Sequence, residues 1–266
     1  MIPANPTIDA SLSHRSLRAI HFMVLLSIFG LLSGCAGWMR PPEHDPQALQ
    51  WVTHWTGRNT EIENFKGLLQ VQILAHGQTI NGRAAVAGAV PDRLRLEFLS
   101  FIGQPLFSVA ADGRTITLID LREGKISRLE QTQKALERIV GMPISVRTLL
   151  EVLLGRPPVQ EYIAAVRPAE SETQCAVELK GRWHETVADI LSDGCEHPDV
   201  LNVYDREGQW EYTVQWLKWQ SIQGYSLPQR VMITSAEGAR INFTIDRFWP
   251  DTPLPSSTFI LEPPGN

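Results

Sequence analysis

Apolar and polar residues alternate along most of this chain, with the period of two that is typical of strands with one buried face. The alternation is clearest at Leu94, Leu96 and Phe98, and it resumes at 106–109 after a turn that contains Gly103 and Pro105. Further segments of this kind occupy residues 65–74, 79–90, 115–120, 175–179, 187–191, 200–204, 210–219, 227–233 and 240–248. Short strands joined by tight turns predict an antiparallel meander that curves into a barrel or a sandwich.

Three segments have the periodicity of helices instead. Residues 47–56 predict a first helix, and residues 131–140 and 145–154 predict two more with one apolar face each. Ser145 is a favourable N-cap, and a Gly-Met-Pro-Ile break at 141–144 separates the last two helices. We expect these two helices to close an open end of the sheet, over a cavity suited to a hydrophobic ligand.

The turn between the strands at 94–98 and 106–109 is unusual because two large apolar residues, Phe101 and Ile102, lie where a turn is normally polar. One interpretation places both side chains in the core, as is usual for apolar residues. The other is an exposed apolar finger that touches a membrane or an acylated partner. The local pattern alone favours the core.

The first 35 residues have the organisation of a secretion signal. Arg15 and Arg18 precede an apolar run at 22–32, which is shorter than the roughly 20 residues of a membrane-spanning helix. The run ends in Leu-Ser-Gly-Cys35, which resembles the lipobox of bacterial lipoproteins. The alternative is an ordinary secretory signal with a cysteine at this position by chance.

The lipobox resemblance implies that Cys35 becomes the lipidated first residue of the mature chain, with more than enough acyl chains for stable attachment. Ala36 follows it instead of the aspartate that favours retention in the inner membrane, so the resemblance implies an outer-membrane anchor facing the periplasm. We expect a signal peptide at 1–34, a lipid-anchored tether at 35–46, a folded domain at 47–249 and a Pro-rich tail at 250–266.

Composition narrows the possible functions only slightly. Removing residues 1–34 changes the formal net charge from −5 to −6, and a mildly acidic body does not suit a nucleic-acid-binding role. The hydrophobic share of 43% is ordinary for a globular protein and allows one large all-β domain or two smaller ones.

The remaining candidate chemistry rests on Cys175 and Cys195, the two other cysteines of the chain. In an oxidising periplasm they favour a disulfide, with a metal or nucleophile site as the alternative.

We find no Ser-His-Asp arrangement, HExxH, CxxC or phosphate-binding glycine loop, so we expect no enzyme and no cofactor. The tryptophans within 210–219 suit alternate faces of a barrel wall, although sugar stacking is conceivable.

The helix–break–helix segment resembles the LolB family. It reads Gly-Met-Pro-Ile-Ser at 141–145, continues through Leu149 and Leu150, and ends in Leu-Gly-Arg-Pro at 154–157. The resemblance covers about residues 49–249, and its other landmarks fall in the same order: the lipobox, the apolar tip at 101–103, the late Trp/Tyr strand, Leu-Pro at 227–228 and Asp-Arg-Phe-Trp at 246–249. The segment around 175–195 and the C-terminal tail look longer than is typical of that family.

The resemblance implies a mainly β fold with helices, namely a half-open antiparallel β-barrel of about eleven strands whose helices cover an apolar cavity. In the LolB family this cavity takes the acyl chains of lipoproteins from the periplasmic carrier LolA. The receptor then releases them into the outer membrane without an energy source or a metal. A protruding apolar residue on a strand–strand loop serves insertion; by position it is Ile102, with Phe101 beside it, so the resemblance favours the exposed finger.

Pattern and resemblance together give a candidate site. We expect the cavity wall to be formed by Leu69, Val71, Leu94, Leu96, Phe98, Val214, Trp216, Ile241 and Phe243, and the helical lid by Leu136, Ile139, Leu149, Leu150 and Leu153. The expected partners are a LolA-like carrier, acylated lipoproteins and the outer membrane, but no nucleic acid, and we expect a monomer. The alternative is an envelope lipoprotein on the same scaffold that transfers nothing and acts as a lipid- or protein-binding sensor or structural module.

Overall fold

The computed structural model describes residues 43–100, 102–169 and 175–262. These ranges contain three α-helices, α1 (Pro46–Thr56), α2 (Gln133–Val140) and α3 (Val146–Leu153), and a 3-10 helix (Ser256–Phe259). Their thirteen strands are β1 (Asn64–Ala75), β2 (Gln78–Ala89), β3 (Arg93–Leu99), β4 (Pro105–Asp112), β5 (Thr115–Asp120), β6 (Lys125–Glu130), β7 (Ala164–Val166), β8 (Cys175–Lys180), β9 (Thr186–Ser192), β10 (Val200–Tyr204), β11 (Trp210–Ile222), β12 (Tyr225–Ser235) and β13 (Arg240–Pro250).

All thirteen strands belong to one antiparallel sheet, in the order β6-β5-β4-β3-β2-β1-β13-β12-β11-β10-β9-β8-β7. The pairing of β1 with β13 joins the two halves of the chain, and β6 and β7 are the two edges, so the sheet stays open. The half-open antiparallel fold is therefore confirmed, with two strands more than the expected eleven. The first edge strand, β6, is exposed along nearly its whole length.

The hairpin turns alternate between the two ends of this sheet because every neighbouring pair is antiparallel. We call one end the Ile102 end; its turns lie at 75–78, 99–105, 120–125, 180–186, 204–210 and 235–240. We call the opposite end the disulfide end; its turns lie at 89–93, 112–115, 192–200 and 222–225.

Helices α2 and α3 pack on the apolar face of the sheet, and their ends are defined by local chemistry. α2 stops at Gly141, which adopts a left-handed conformation with φ of 73°. Ser145 caps α3, since its hydroxyl accepts a hydrogen bond from the Thr148 backbone N–H at 3.0 Å, which confirms the predicted N-cap. The C-terminal end of α3 is fixed by the Trp216 indole, which donates to the Val152 carbonyl at 3.1 Å.

The close approach of α3 to the sheet depends on Gly88 in β2. A Cβ atom at this position would lie 2.4 Å from the Phe65 ring and 2.8 Å from the Leu150 side chain. Phe65 cannot move away easily because it stacks on Phe248 with ring centroids 4.9 Å apart. The absent side chain therefore sets how deeply the second lid helix is seated.

The C-terminal segment after β13 packs on the outer face of the sheet. Phe259 is buried against Ala87 and Ala89 of β2, and Leu261 is buried near β4 and β5. Arg95 donates from Nη1 to the Thr258 carbonyl at 2.9 Å, which fixes this segment. Small alanine side chains leave room on this face that the two apolar residues of the tail fill.

A disulfide joins Cys175 at the start of β8 to Cys195 in the loop after β9, with Cα atoms 5.3 Å apart. The loop also contacts α1, because the Trp55 indole donates to the Cys195 carbonyl at 3.1 Å. The bridge therefore links the edge of the sheet to the helix that covers it.

Replacing both cysteines with serine should lower the free energy of unfolding by about 3 kcal/mol. The reason is that the unfolded chain is then no longer constrained by the loop that the disulfide closes between Cys175 and Cys195. Urea unfolding followed by tryptophan fluorescence measures this. Dithiothreitol should lower the stability of the wild type by a similar amount and leave the double variant unchanged. Equal stabilities of the oxidised wild type and the variant would contradict the prediction.

Candidate functional site

An apolar groove of about 200 Å³ lies between strands β1–β4 and helices α2 and α3. Its only polar lining residues are His76 and Gln78, in and beside the β1–β2 turn, so this part of the groove lies at the Ile102 end. The lining consists of Ile73, Ala75, His76, Gln78, Ile80, Leu94, Leu96, Phe98, Phe107, Val109, Leu136, Ile139, Val140 and Leu149. Such a surface offers dispersion contacts to hydrocarbon and almost no hydrogen bonds.

Strand register builds the floor of the groove. Leu96 of β3 lies opposite Val109 of β4, and Phe98 lies opposite Phe107, with the two rings tilted and their centroids 6.2 Å apart. Side chains of directly paired residues project to the same face of a sheet. The two pairs therefore form a continuous apolar surface beneath the helices.

The two lid helices are held differently. The polar contacts of α2 are exposed: the His76 Nε2 lies 3.2 Å from the Arg138 carbonyl, and the Gln133 side chain donates to the Pro143 carbonyl at 2.7 Å. α3 is held by the buried Trp216 bond and by Asn59, which donates to the Leu154 carbonyl at 2.8 Å. Exposed hydrogen bonds are replaced by water at little cost, so α2 is the more easily displaced helix.

The predicted wall and lid residues divide into two groups in the structure. Those that line the groove are Leu94, Leu96, Phe98, Leu136, Ile139 and Leu149. The others, Leu69, Val71, Val214, Trp216, Ile241, Phe243, Leu150 and Leu153, are buried in the main core and do not line it. Sequence reasoning missed Ile73, Ile80, Phe107, Val109 and Val140, although Ile73 has the same strand parity as the predicted Val71.

Ile102 stands out from the sheet at the tip of the β3–β4 turn, with 63% of its surface exposed. The turn is closed by the Ser100 N–H, which donates to the Gln104 carbonyl at 2.7 Å, and by Gly103 with φ of 85°. This hydrogen bond and the backbone conformation of Gly103 hold Ile102 outward. Its predicted neighbour Phe101 and the predicted lipidation site Cys35 lie outside the described residues, as does the signal segment 1–34.

Exposed apolar side chains are concentrated at the Ile102 end of the sheet. Nine of the twelve large apolar residues that are exposed in the described ranges lie there: Leu74, Ile80, Ile102, Leu106, Leu121, Ile126, Ile163, Trp183 and Trp210. Single exposed apolar residues are normal on any protein, but here they are concentrated at one end of the sheet. The groove and this surface therefore share one end of the molecule.

Apart from His76 at the mouth, the ionisable groups near the lid lie outside the groove lining. Burial raises the pKa of the Glu151 carboxyl on α3, and the nearby Arg156 and Arg147 partly offset that shift. Arg156 is itself buried, and burial lowers its pKa. Burial also raises the pKa of Tyr212, so this phenol stays neutral over the physiological range. The groove itself therefore remains an uncharged environment apart from its mouth.

The described ranges contain neither a metal-binding cluster nor a membrane-spanning helix. No cluster of three or more His, Cys, Asp or Glu side chains there could hold a metal ion. None of the helices in those ranges is long and apolar enough to cross a membrane.

Sequence comparison assigns the family. The family model described as "Outer membrane lipoprotein LolB" matches residues 70–249, which run from within β1 to the end of β13. The chain belongs to the LolB family. The resemblance found from the helix–break–helix segment is thus confirmed, and the match includes the groove, the lid and the Ile102 turn. No curated protein matches this LolB-family chain in sequence.

Solved structures share the fold of this LolB-family chain at low sequence identity. A LolA superfamily protein from Nitrosomonas europaea is 13% identical with a TM-score of 0.54, over 80% of this chain and 97% of that one. A lipoprotein-sorting protein domain from Vibrio parahaemolyticus, described as putative, is 11% identical with a TM-score of 0.52, over 79% and 95%. A DUF1329 family protein from Desulfovibrio piger is 8% identical with a TM-score of 0.57, over 82% and 98%.

Proposed function

We propose that this LolB-family protein is an outer-membrane lipoprotein receptor, anchored through a lipidated Cys35 and facing the periplasm. It accepts acylated lipoproteins from a LolA-like carrier and delivers them to the outer membrane. The observation that carries the proposal is the position of the apolar groove, whose mouth lies at the same end of the sheet as the exposed Ile102 tip. An acyl chain that leaves the groove there meets the bilayer directly.

Acyl chains enter the groove as the lid helices move apart. The groove of about 200 Å³ is smaller than the roughly 300 Å³ at which typical ligand pockets begin. Helix α2, with its exposed hydrogen bonds, is the part that swings away. Each methylene buried contributes about 0.8 kcal/mol, which offsets the cost of separating α2 from the sheet.

Transfer runs downhill without an energy source when affinity for the acyl chains rises from carrier to receptor to bilayer. A partly open groove binds hydrocarbon less completely than a bilayer does. The half-open sheet suits this intermediate position, since a fully enclosed cavity would retain its ligand.

Changing Ile102 to glutamate should leave the fold and the uptake of lipoprotein intact and reduce delivery to vesicles several-fold, because a carboxylate does not enter the acyl region. A transfer assay from loaded carrier to receptor and then to vesicles separates the two steps. Ile260→Glu is the matched control, since Ile260 is 53% exposed and lies on the tail that packs against the outer face of the sheet, not in a hairpin turn. Unfolding of the Ile102 variant, or unchanged delivery, would contradict the assigned role.

Depletion of the protein in its own cells tests the whole proposal. Lipoproteins should then accumulate on the carrier and fail to reach the outer membrane. If they still arrive there, and the purified protein takes no acylated substrate from the carrier, the receptor function is wrong. A lipid- or protein-binding lipoprotein that transfers nothing would then remain.

A further inference from the structure

The β8–β9 turn carries the most exposed large apolar side chain of the described residues, Trp183, with 81% of its surface in solvent. The turn is rigid: the Gly181 N–H donates to the Glu185 carbonyl at 2.8 Å, and the His184 N–H donates to the Gly181 carbonyl at 3.1 Å. The Trp183 N–H donates to the Glu185 carboxylate at 2.7 Å. The indole is thus held outward by its own turn, and nothing in the described fold covers it.

This turn belongs to the Ile102 end of the sheet, where most exposed apolar side chains lie. Trp183 and Ile102 are the two most exposed members of that set. Six strands (β2, β1, β13, β12, β11 and β10) separate their hairpins in the sheet order, so the two residues belong to different halves of the sheet. Both residues therefore stand at the same end of the sheet, one on each side of the β1–β13 pairing.

The N-terminal segment joins the domain close to the same turn. The Asp45 N–H donates to the Ala165 carbonyl of β7 at 2.9 Å, and Ala164 pairs with Lys180 at the base of the β8–β9 turn. Cys35 precedes Glu43, the first described residue, by about eight positions. A fully extended chain of that length spans at most about 29 Å. A bilayer that holds a lipidated Cys35 therefore lies within reach of the Trp183 turn.

We infer that the turn formed by Arg182, Trp183 and His184 is a second membrane contact, which places the Trp183 indole among the phospholipid headgroups. Tryptophan favours this layer because its ring is apolar and its N–H is polar. Arg182 is exposed beside it and meets the lipid phosphates, which attract basic side chains near a membrane surface. The Glu185 carboxylate is held by the turn itself, where it accepts the bond from the Trp183 backbone N–H.

Two contacts on different halves of the sheet fix the orientation of the receptor. A lipid anchor alone, or an anchor with the Ile102 tip, leaves the domain free to rotate about a point or a line. With Trp183 as a third point, the Ile102 end, and with it the groove mouth, stays turned toward the bilayer. The inference rests on the anchor of the proposed function but not on lipoprotein transfer.

The test uses the lipidated mature chain in vesicles of phosphatidylethanolamine and phosphatidylglycerol, with or without bromine on the acyl chains. Bromine quenches tryptophans at the membrane interface. All variants carry Trp38→Phe, because Trp38 lies three residues from Cys35 and would give its own signal. Trp183→Phe should then remove more than half of the remaining quenching. Trp249→Phe, a 41% exposed tryptophan near the end of β13 at the opposite end of the sheet, should remove none.

Arg182→Glu should also reduce the quenching of Trp183, because a carboxylate is repelled by the phosphate layer. Unchanged quenching in Trp183→Phe would overturn the inference. It would also be overturned if brominated vesicles did not quench Trp183 and only added carrier protein changed its fluorescence. The result is separable from the transfer assay. Quenching of Trp183 without lipoprotein delivery refutes the proposed function alone, and delivery without quenching of Trp183 refutes the membrane contact alone.

Discussion

Leu96→Trp should lower the acceptance of acylated lipoproteins from the carrier by more than tenfold. Leu96 is half-buried on β3 and lines the groove opposite Val109, so a larger ring there occupies space that hydrocarbon would take. Excluding even two methylenes costs about 1.6 kcal/mol, which is already more than tenfold in affinity. Equilibrium transfer of a labelled lipoprotein from carrier to receptor measures the loss.

The matched control is Leu217→Trp, because Leu217 is a leucine of β11 that is 52% exposed and does not line the groove. It should accept lipoprotein as the wild type does. If Leu96→Trp folds and accepts substrate normally, hydrocarbon binds elsewhere and the groove has been assigned wrongly.

Trp55→Ala should lower the free energy of unfolding by about 4 kcal/mol, the largest stability effect we expect from a single substitution. Trp55 is fully buried between α1 and the sheet, and it also anchors the disulfide loop through the Cys195 carbonyl. Removing it leaves a cavity and an unpaired carbonyl. Chemical unfolding under oxidising conditions measures the change, which is a large share of the 5–15 kcal/mol typical of folded proteins.

Trp51→Ala serves as the comparison, since Trp51 stacks on Trp55 from the same helix but is only partly buried. Its loss should be clearly smaller. Trp55→Phe keeps most of the packing and removes the hydrogen bond, which is worth about 1 kcal/mol. Equal losses for the two alanine variants would contradict the assignment of Trp55 as the main contact between α1 and the rest of the domain.

Period-two alternation predicted most of the sheet because most strands have one buried and one exposed face. It failed for the two edge strands. β6 reads Lys-Ile-Ser-Arg-Leu-Glu and is exposed almost throughout, so burial imposes no alternation on it. β7 has only three residues, Ala164–Val166, too few for any period to be visible. These two strands are the ones that the alternation pattern did not identify among the thirteen observed.

The candidate site could be predicted only in part from the sequence, because strand parity identifies the inner face of the sheet and not what lies above it. Val71 and Ile73 have the same parity in β1, yet only Ile73 lines the groove, while Val71 is buried in the core. The difference arises from the position of the lid helices above the sheet. For α3 the distance to the sheet is set by Gly88, which has no side chain. Contacts of this kind join residues far apart in sequence.

The Ile102 turn shows the opposite situation. Its residues alone favoured burial, because large apolar side chains are usually inside. The family resemblance favoured exposure, and the structure holds Ile102 outward by hydrogen bonds of the turn itself. The proposed role at a membrane gives an exposed isoleucine at a hairpin tip a physical purpose.

The open edge at β6 also has a consequence for how copies of this protein meet one another. An unpaired strand offers its backbone to any similar strand, and the proposed lipid anchor would confine the copies to two dimensions, where they meet often. Lys125, Arg128 and Glu130 place charged side chains along β6, as is common on natural edge strands, so edge-to-edge pairing is disfavoured. The charged and polar residues of β6, which remove the alternation expected of a strand, therefore also disfavour aggregation of the open sheet through this edge.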